Sequence, residues 1–205
     1  FGMGNIKDAT LEQLADKGNG QYAYVDTLSE AHRIFLQQMS ASLVTIAKDV
    51  KIQIEFNPAV VGAYRLVGYE NRMMKAEEFN DDSKDAGEIG AGHTVTALYE
   101  IVPVGGRIPG PNVDELRYQQ NPKPAPKPQE KATDGEMMNV KIRYKAPRSD
   151  ESALLTFPVG KGFVPFNKAS EDMRFATAVA AFGQILRDSK YKGNITLNDI
   201  EEIAL

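Results

Sequence analysis

From Val44 onward, apolar residues recur at every second position. Val44, Ile46, Val50, Ile52, Ile54 and Phe56 fall on even numbers, while Thr45, Asp49, Lys51, Gln53 and Glu55 fill odd ones. Side chains alternate between faces along a strand, so this period predicts a half-buried strand over at least 48–56, stopped by Asn57-Pro58. The run AYRLVGYE (63–70) is a plausible partner strand. HTVTALYEIVPV (93–104) alternates again, with Val95, Ala97, Tyr99 and Ile101 on one face. MNVKIRYK (138–145) repeats the pattern through Met138, Val140, Ile142 and Tyr144, and ALLTFPV (153–159) supplies a fifth strand. Strands of this kind with one wet face predict an α+β fold class: an antiparallel β-sandwich, or a sheet covered by a helix.

The covering helix is expected near 170–188. Ser170 can cap EDMRFATAVAAFGQILRDS, whose acidic start suits the positive end of the helix dipole. Phe175, Val179, Phe182 and Leu186 stand at i, i+4, i+7 and i+11, with Ala178 and Ile185 widening the stripe. Turned inward, those four large side chains would give about 6–12 kcal/mol of gross stabilisation, at roughly 1.5–3 each. A last helix over 197–205 follows Thr196, with Leu197, Ile200 and Ile203 inward.

Before Val44 the pattern differs. Residues 5–17 read as a short helix capped by Asn5 or Asp8, with Leu11, Leu14 and Ala15 as its apolar stripe and Gly18 and Gly20 as its stop. QYAYV (21–25) reads as a short strand. Thr27-Leu28-Ser29-Glu30 is a capping box opening a helix with Ala31, Phe35, Met39 and Leu43 at helical spacing. Residues 1–43 therefore read as the tail of an α/β sheet, and 44–205 as a separate β-rich domain.

Composition narrows the chemistry. The 205 residues carry no Cys and no Trp and a net charge of −4. Without Cys there is neither a disulfide framework nor a thiolate nucleophile. The acidic balance argues against a nucleic-acid footprint, and no apolar run approaches the roughly 20 residues of a membrane span. Gly2-Met3-Gly4 lacks the third glycine of a dinucleotide fingerprint, since Lys7 stands there, so it reads as a permissive turn. In DDSKDAGE (81–88), Asp81, Ser83 and Asp85 have the odd spacing of a calcium loop. Ala86 and Gly92, however, replace its turn glycine and bidentate glutamate, which makes a solvated acidic loop the better reading. His32 and His93 lie in different segments, as a helix-surface residue and a pre-strand turn, too few for zinc. Tyr64, Tyr69, Tyr99 and Tyr144 read as strand residues in cross-strand pairs. Segment 107–131 holds six of the eleven prolines and reads as a solvated polyproline insertion, with an SH3-type ligand as the functional alternative. No catalytic, cofactor-binding or metal-ligating residue is assigned, and no cofactor is expected.

The wording of longer stretches carries a resemblance. GMGNIKDATLEQLADKGNGQYAYVDTLSEAHR (2–33) resembles the last α/β stretch of a bacterial von Willebrand factor type A domain protein of the YfbK type. LVTIAKDVKIQIEFNPAVVGAYRLVGYENR (43–72), residues 78–103 and RFATAVAAFGQILRDS (174–189) resemble the domain of unknown function that follows that A domain. The resemblance implies that Phe1-Gly2 ends a late strand of an A domain lying upstream, whose metal-adhesion residues all precede this chain. It also implies a non-enzymatic protein of the bacterial cell envelope, extracytoplasmic, with unidentified protein partners. The expected function is an interaction or scaffold module. The alternative is a small-ligand binder or enzyme with a cleft between the sheet and the 170–188 helix.

Overall fold

The computed structural model describes residues 7–18, 20, 22–37, 44–70, 72–107 and 135–205, apart from the side chains of Asp16 and Gln37. Four α-helices and six strands are found among them: α1 (Asp8–Lys17), α2 (Leu28–His32), β1 (Thr45–Phe56), β2 (Val61–Val67), β3 (Gly87–Gly90), β4 (Leu98–Pro103), β5 (Glu136–Lys145), β6 (Ser152–Gly160), α3 (Glu171–Leu186) and α4 (Leu197–Ala204). Hydrogen-bonded neighbours run β3-β1-β5-β6 in a four-stranded sheet and β2-β4 in a two-stranded one. The β1–β3 and β2–β4 pairs are antiparallel. The chain is thus mixed α and β with antiparallel pairing.

Two compact units share these elements. One gathers the described parts of Phe1–Ile54, Met74–Val95 and Val140–Phe157; the other gathers those of Glu55–Met73, Thr96–Asn139 and Pro158–Leu205.

In the first unit, the expected strand over 48–56 begins earlier, at Thr45, and its inward face is not the expected one. Asp49 adopts a left-handed backbone (φ 50°), and the register with β3 shifts between Ala47 and Val50. Such a bulge inserts a residue and breaks the alternation. Lys51 lies inside at 2% exposure, while Val44, Ile46 and Ile52 are exposed, so the odd-numbered side is the sheltered one both before and just after Asp49. Phe79, on a 3-10 turn over Ala76–Asn80, is the buried aromatic of this unit. β3 lies in the stretch read as a loop, where Gly and Glu hid its pairing potential.

Segment 8–37 departs further from expectation. Lys7, not Asp8, occupies the cap of α1 and makes no side-chain cap bond, since an ammonium group can only donate; the Asp8 carboxylate accepts from the Tyr22 hydroxyl. That bond pushes the Tyr22 phenol up to about 12. Residues 22–25 form no strand; a strand exists by pairing, and no described strand lies beside them. Thr27 does accept from the Glu30 amide, but the Glu30 carboxylate turns to Arg33 and leaves the box half-made. α2 then loosens into a π-turn over Arg33–Gln37 with Phe35 exposed. The remaining expectations at Asn5, Met39, Leu43 and 108–131 lie outside the described residues.

In the second unit, β2 pairs with β4 and not with β1. Both edges of β1 are already taken by β3 and β5, so no donor row remains for it. Asn57 fixes the end of β1: its amide N–H reaches the Met137 carbonyl at 2.9 Å and its Nδ2 the Glu136 carbonyl at 2.7 Å. Gly62 marks a register shift in β2, where an added Cβ would stand 3.2 Å from the Pro103 carbonyl oxygen. Phe56, Val61, Met137, Ala178 and Ile200 are the buried apolar residues here. Phe56 stacks on Tyr64 (4.2 Å between centroids) and edge-on to Tyr99 (5.5 Å), a local aromatic cluster. β4 starts only at Leu98, leaving Val95 exposed ahead of it. Tyr69 stands past the end of β2 in a left-handed turn (φ 59°), its hydroxyl donating to the Thr96 carbonyl at 3.0 Å.

Candidate functional site

The termini of α3 and α4 form as their local sequence dictates. The Ser170 hydroxyl accepts from the Met173 amide at 3.2 Å, and Thr196 and Asp199 close a full capping box around α4. The orientation of α3 does not follow its pattern. Phe175 (58%), Val179 (56%), Phe182 (44%) and Leu186 (70%) are exposed, and Ala178 is 2% exposed. The sheltered stripe is instead Arg174, Ala178, Ala181 and Ile185. That stripe has the same i, i+4, i+7, i+11 spacing displaced by one residue, a rotation of about 100°. The predicted inward face of α3 is therefore its outward face, and Leu197 of α4 is exposed as well. α3 packs on α4.

This arrangement leaves four large apolar side chains in a row on an exposed ridge. A patch of a few hundred Å2 of this kind marks an interaction surface on a soluble protein. Beside the ridge start lies a groove of about 320 Å3, lined by Glu171, Asp172, Arg174, Phe175, Ile203, Ala204 and Leu205.

A second concavity adjoins β2 and the other flank of α3. Cross-strand register sets Arg65 opposite Glu100, and the guanidinium grips that carboxylate at 2.6 and 2.5 Å. The same guanidinium donates to the Gln184 amide oxygen at 3.2 Å and stacks on Tyr191, 4.1 Å from the ring centroid. Arg187 donates to Glu70 at 2.5 Å, and this hydrogen bond holds the Glu70 carboxyl below its ordinary range. Between the pairs is a cavity of about 160 Å3 bordered by Gly68 and Gly183. Gly68 (φ 80°) has a left-handed backbone and open space where a Cβ would stand. The lining holds two arginines and one glutamate, Glu70, so the cavity walls carry one more cation than anion.

The acidic loop 81–88 is organised around the protein's own cations. Lys51 Nζ donates to the backbone carbonyls of Glu78 and Asp81, and Lys145 Nζ donates to Asp49 at 2.7 Å and to the Asp82 carbonyl at 2.9 Å. Arg143 bonds Ser152 at 2.7 Å and Asn80 at 3.0 Å, with its Nη1 3.9 Å from the Asp82 carboxylate. The Asp81, Ser83 and Asp85 spacing gives no shared cage: Ser83 donates to Asp81 at 2.6 Å, while Asp85 bonds Asp49. Burial pushes Asp49 up, but the hydrogen bonds from Lys145 and the Ala86 amide outweigh it and keep Asp49 below the usual carboxylate range. Asp85 is raised, first by desolvation and then by sharing a hydrogen bond with Asp49. Among the described residues no group of three His, Cys, Asp or Glu could hold a metal ion. His32 and His93 are both exposed, His93 in a turn bonded to the Gly90 carbonyl at 3.0 Å. Among the described residues no helix is long and apolar enough to cross a membrane.

Neither the ridge orientation nor Arg65 and Lys51 was singled out from sequence. The Arg65–Glu100 pairing had one available signal, opposite charges on two alternating strands, but using it required the register. Comparison with known proteins supplies the lineage. The chain is 46% identical over 206 residues to "Uncharacterized protein YfbK" of Escherichia coli (strain K12), a match covering 100% of this chain and 34% of that protein. The chain thus spans about a third of the length of the curated relative it matches. No solved structure matches significantly. The family described as "Uncharacterized protein YfbK, C-terminal" matches residues 41–205, and the chain belongs to that family.

Proposed function

We propose that this chain is a non-enzymatic interaction or scaffold module. In this reading residues 1–43 close a von Willebrand factor type A domain lying upstream, and 44–205 form a sandwich-like β-rich domain that supports it at the bacterial cell envelope. The observation that carries the reading is the exposed apolar ridge of α3, whose four large side chains stand outward while an alanine-rich stripe faces in. Leaving them in water forgoes several kcal/mol of burial, a cost that a binding surface recovers when it is covered. The test is capture of partners from envelope extracts with the chain and with a Val179→Glu, Phe182→Glu variant. The unchanged chain is expected to retain proteins that the variant loses; identical sets would remove the ridge from any such role.

A second reading rests on the cavity beside Arg65, where Arg187, Glu70 and Gln184 also converge. Its size and its excess of one cation over Glu70 suit the carboxylate of a small amino acid, with Glu70 left for the ammonium group. Melting-temperature shifts with free amino acids, abolished by Arg65→Met, would support it; unshifted melting throughout would end it.

A further inference from the structure

We propose that the ridge of α3 pairs with the same ridge of a second copy of this chain, antiparallel about a two-fold axis. This deepens the interaction reading above by naming the occupant. The first argument is spacing. Phe175, Val179, Phe182 and Leu186 are separated by four, three and four residues, the a/d rhythm by which two helices form a knobs-into-holes seam. A globular core helix is served by a wider stripe, but here the neighbouring stripe, with Ala178 and Ile185, turns inward and leaves the narrow seam outside. Small residues flank the seam, Ala176 and Gly183 among them, so a second backbone meets no obstruction; open space surrounds the Gly183 Cβ position.

The second argument is self-complementarity. A two-fold interface requires each surface to fit its own copy, residue i meeting j while j meets i. Antiparallel pairing about the middle of the seam sets Val179 against Phe182 and Phe175 against Leu186. Leu186 is the most exposed of the four, and Phe175 with Ile203 lines the groove of about 320 Å3 that would receive it. The charges match in the same sense. Glu171 and Asp172 edge that groove, and Arg187 directly follows Leu186, with Lys190 and Lys192 beyond. Arg174 also lines the groove, so its two carboxylates outnumber its cations by one. Arg187 is half exposed and already bonds Glu70 with one nitrogen, which leaves its other donors for a carboxylate of the second copy. Parallel pairing would set Glu171 and Asp172 against themselves. Antiparallel pairing also opposes the helix dipoles favourably.

A seam of two heptads falls short of a standard interface, so dissociation in the micromolar range is expected. Sedimentation of the 205-residue chain from about 1 to about 200 µM should show reversible monomer–dimer exchange over that range. Val179→Glu should weaken it at least tenfold while leaving the circular dichroism spectrum and urea midpoint unchanged. Because the chain has no Cys, orientation can be read by oxidation. Glu171→Cys mixed with Lys190→Cys should cross-link more than either alone. A chain that stays monomeric throughout, a dimer indifferent to Val179→Glu, or self-linking of Glu171→Cys exceeding the mixture would overturn the proposal. A monomer whose envelope partners are still lost with the ridge variant would sink the two-fold pairing alone and leave the interaction reading standing.

Discussion

Lys51 holds its ammonium group among backbone carbonyls rather than carboxylates. Its two acceptors, the Glu78 and Asp81 carbonyls, lie at the end of the 3-10 turn carrying Phe79 and also accept from the Asp81 and Lys84 amides, each at 3.2 Å. Replacing Lys51 by Met keeps the apolar stem and removes the two ammonium hydrogen bonds, while each carbonyl keeps its amide donor, at a cost of about 0.5–1.5 kcal/mol. Urea unfolding should show that loss as a lower midpoint with unchanged slope, and a midpoint equal to the unaltered chain would refute the capping role. Asp49 and Asp85 give a pH signature of opposite signs. Asp49 is held below its unfolded value, so its stabilisation is complete above about pH 4 and is lost as pH falls further. Asp85 is raised, so its contribution is present below about pH 4 and is lost as pH rises through its folded value. Asp85→Asn should therefore melt higher than the unaltered chain at pH 7, with the gap closing toward pH 3.5. A gap that widens on acidification would contradict this assignment.

At the scale of elements, the caps were readable and the orientations were not. Ser170 and Thr196 bond groups three residues away, so the sequence contains both partners of each bond. The face that α3 buries depends on what it meets. Once Arg65 is locked to Glu100 by the β2–β4 register, the Gln184 amide is held to the same guanidinium, and the helix turns its Ala178 side inward. Arg65→Met removes three hydrogen bonds and the stacking on Tyr191, at a cost of about 1–2 kcal/mol because Glu100 is half exposed. Glu100→Gln, which can still accept one bond, should cost less. A urea series placing Glu100→Gln below Arg65→Met in stability would show that the pairing does not organise this flank. β1 carries the same lesson. Its period of two was correct as far as strand type, but Lys51 and Gln53 are sheltered around an exposed Ile52, and the expected alternation, even positions in and odd positions out, holds only from Ile54 to Phe56.

At the scale of the whole molecule, family and coarse class were readable from sequence because both are carried by long stretches of wording and by repeated short-range patterns. The β2–β4 pairing, the carbonyl nest of Lys51 and the outward ridge were not, since each joins segments tens of residues apart. The amino-acid sequence by itself determined five of the six described strands after Val44, β3 being the exception, where α3 and α4 begin, and that no cysteine chemistry is available. These depend on backbone geometry and on atoms a few positions away. Only the tertiary structure decided which strand β2 joins and which side of α3 meets water. Periodicity fixes the angle between two stripes on a helix but not the direction of either. That direction is set by competition among distant surfaces for burial, and here the alanine side and the Arg65 flank took the inside position.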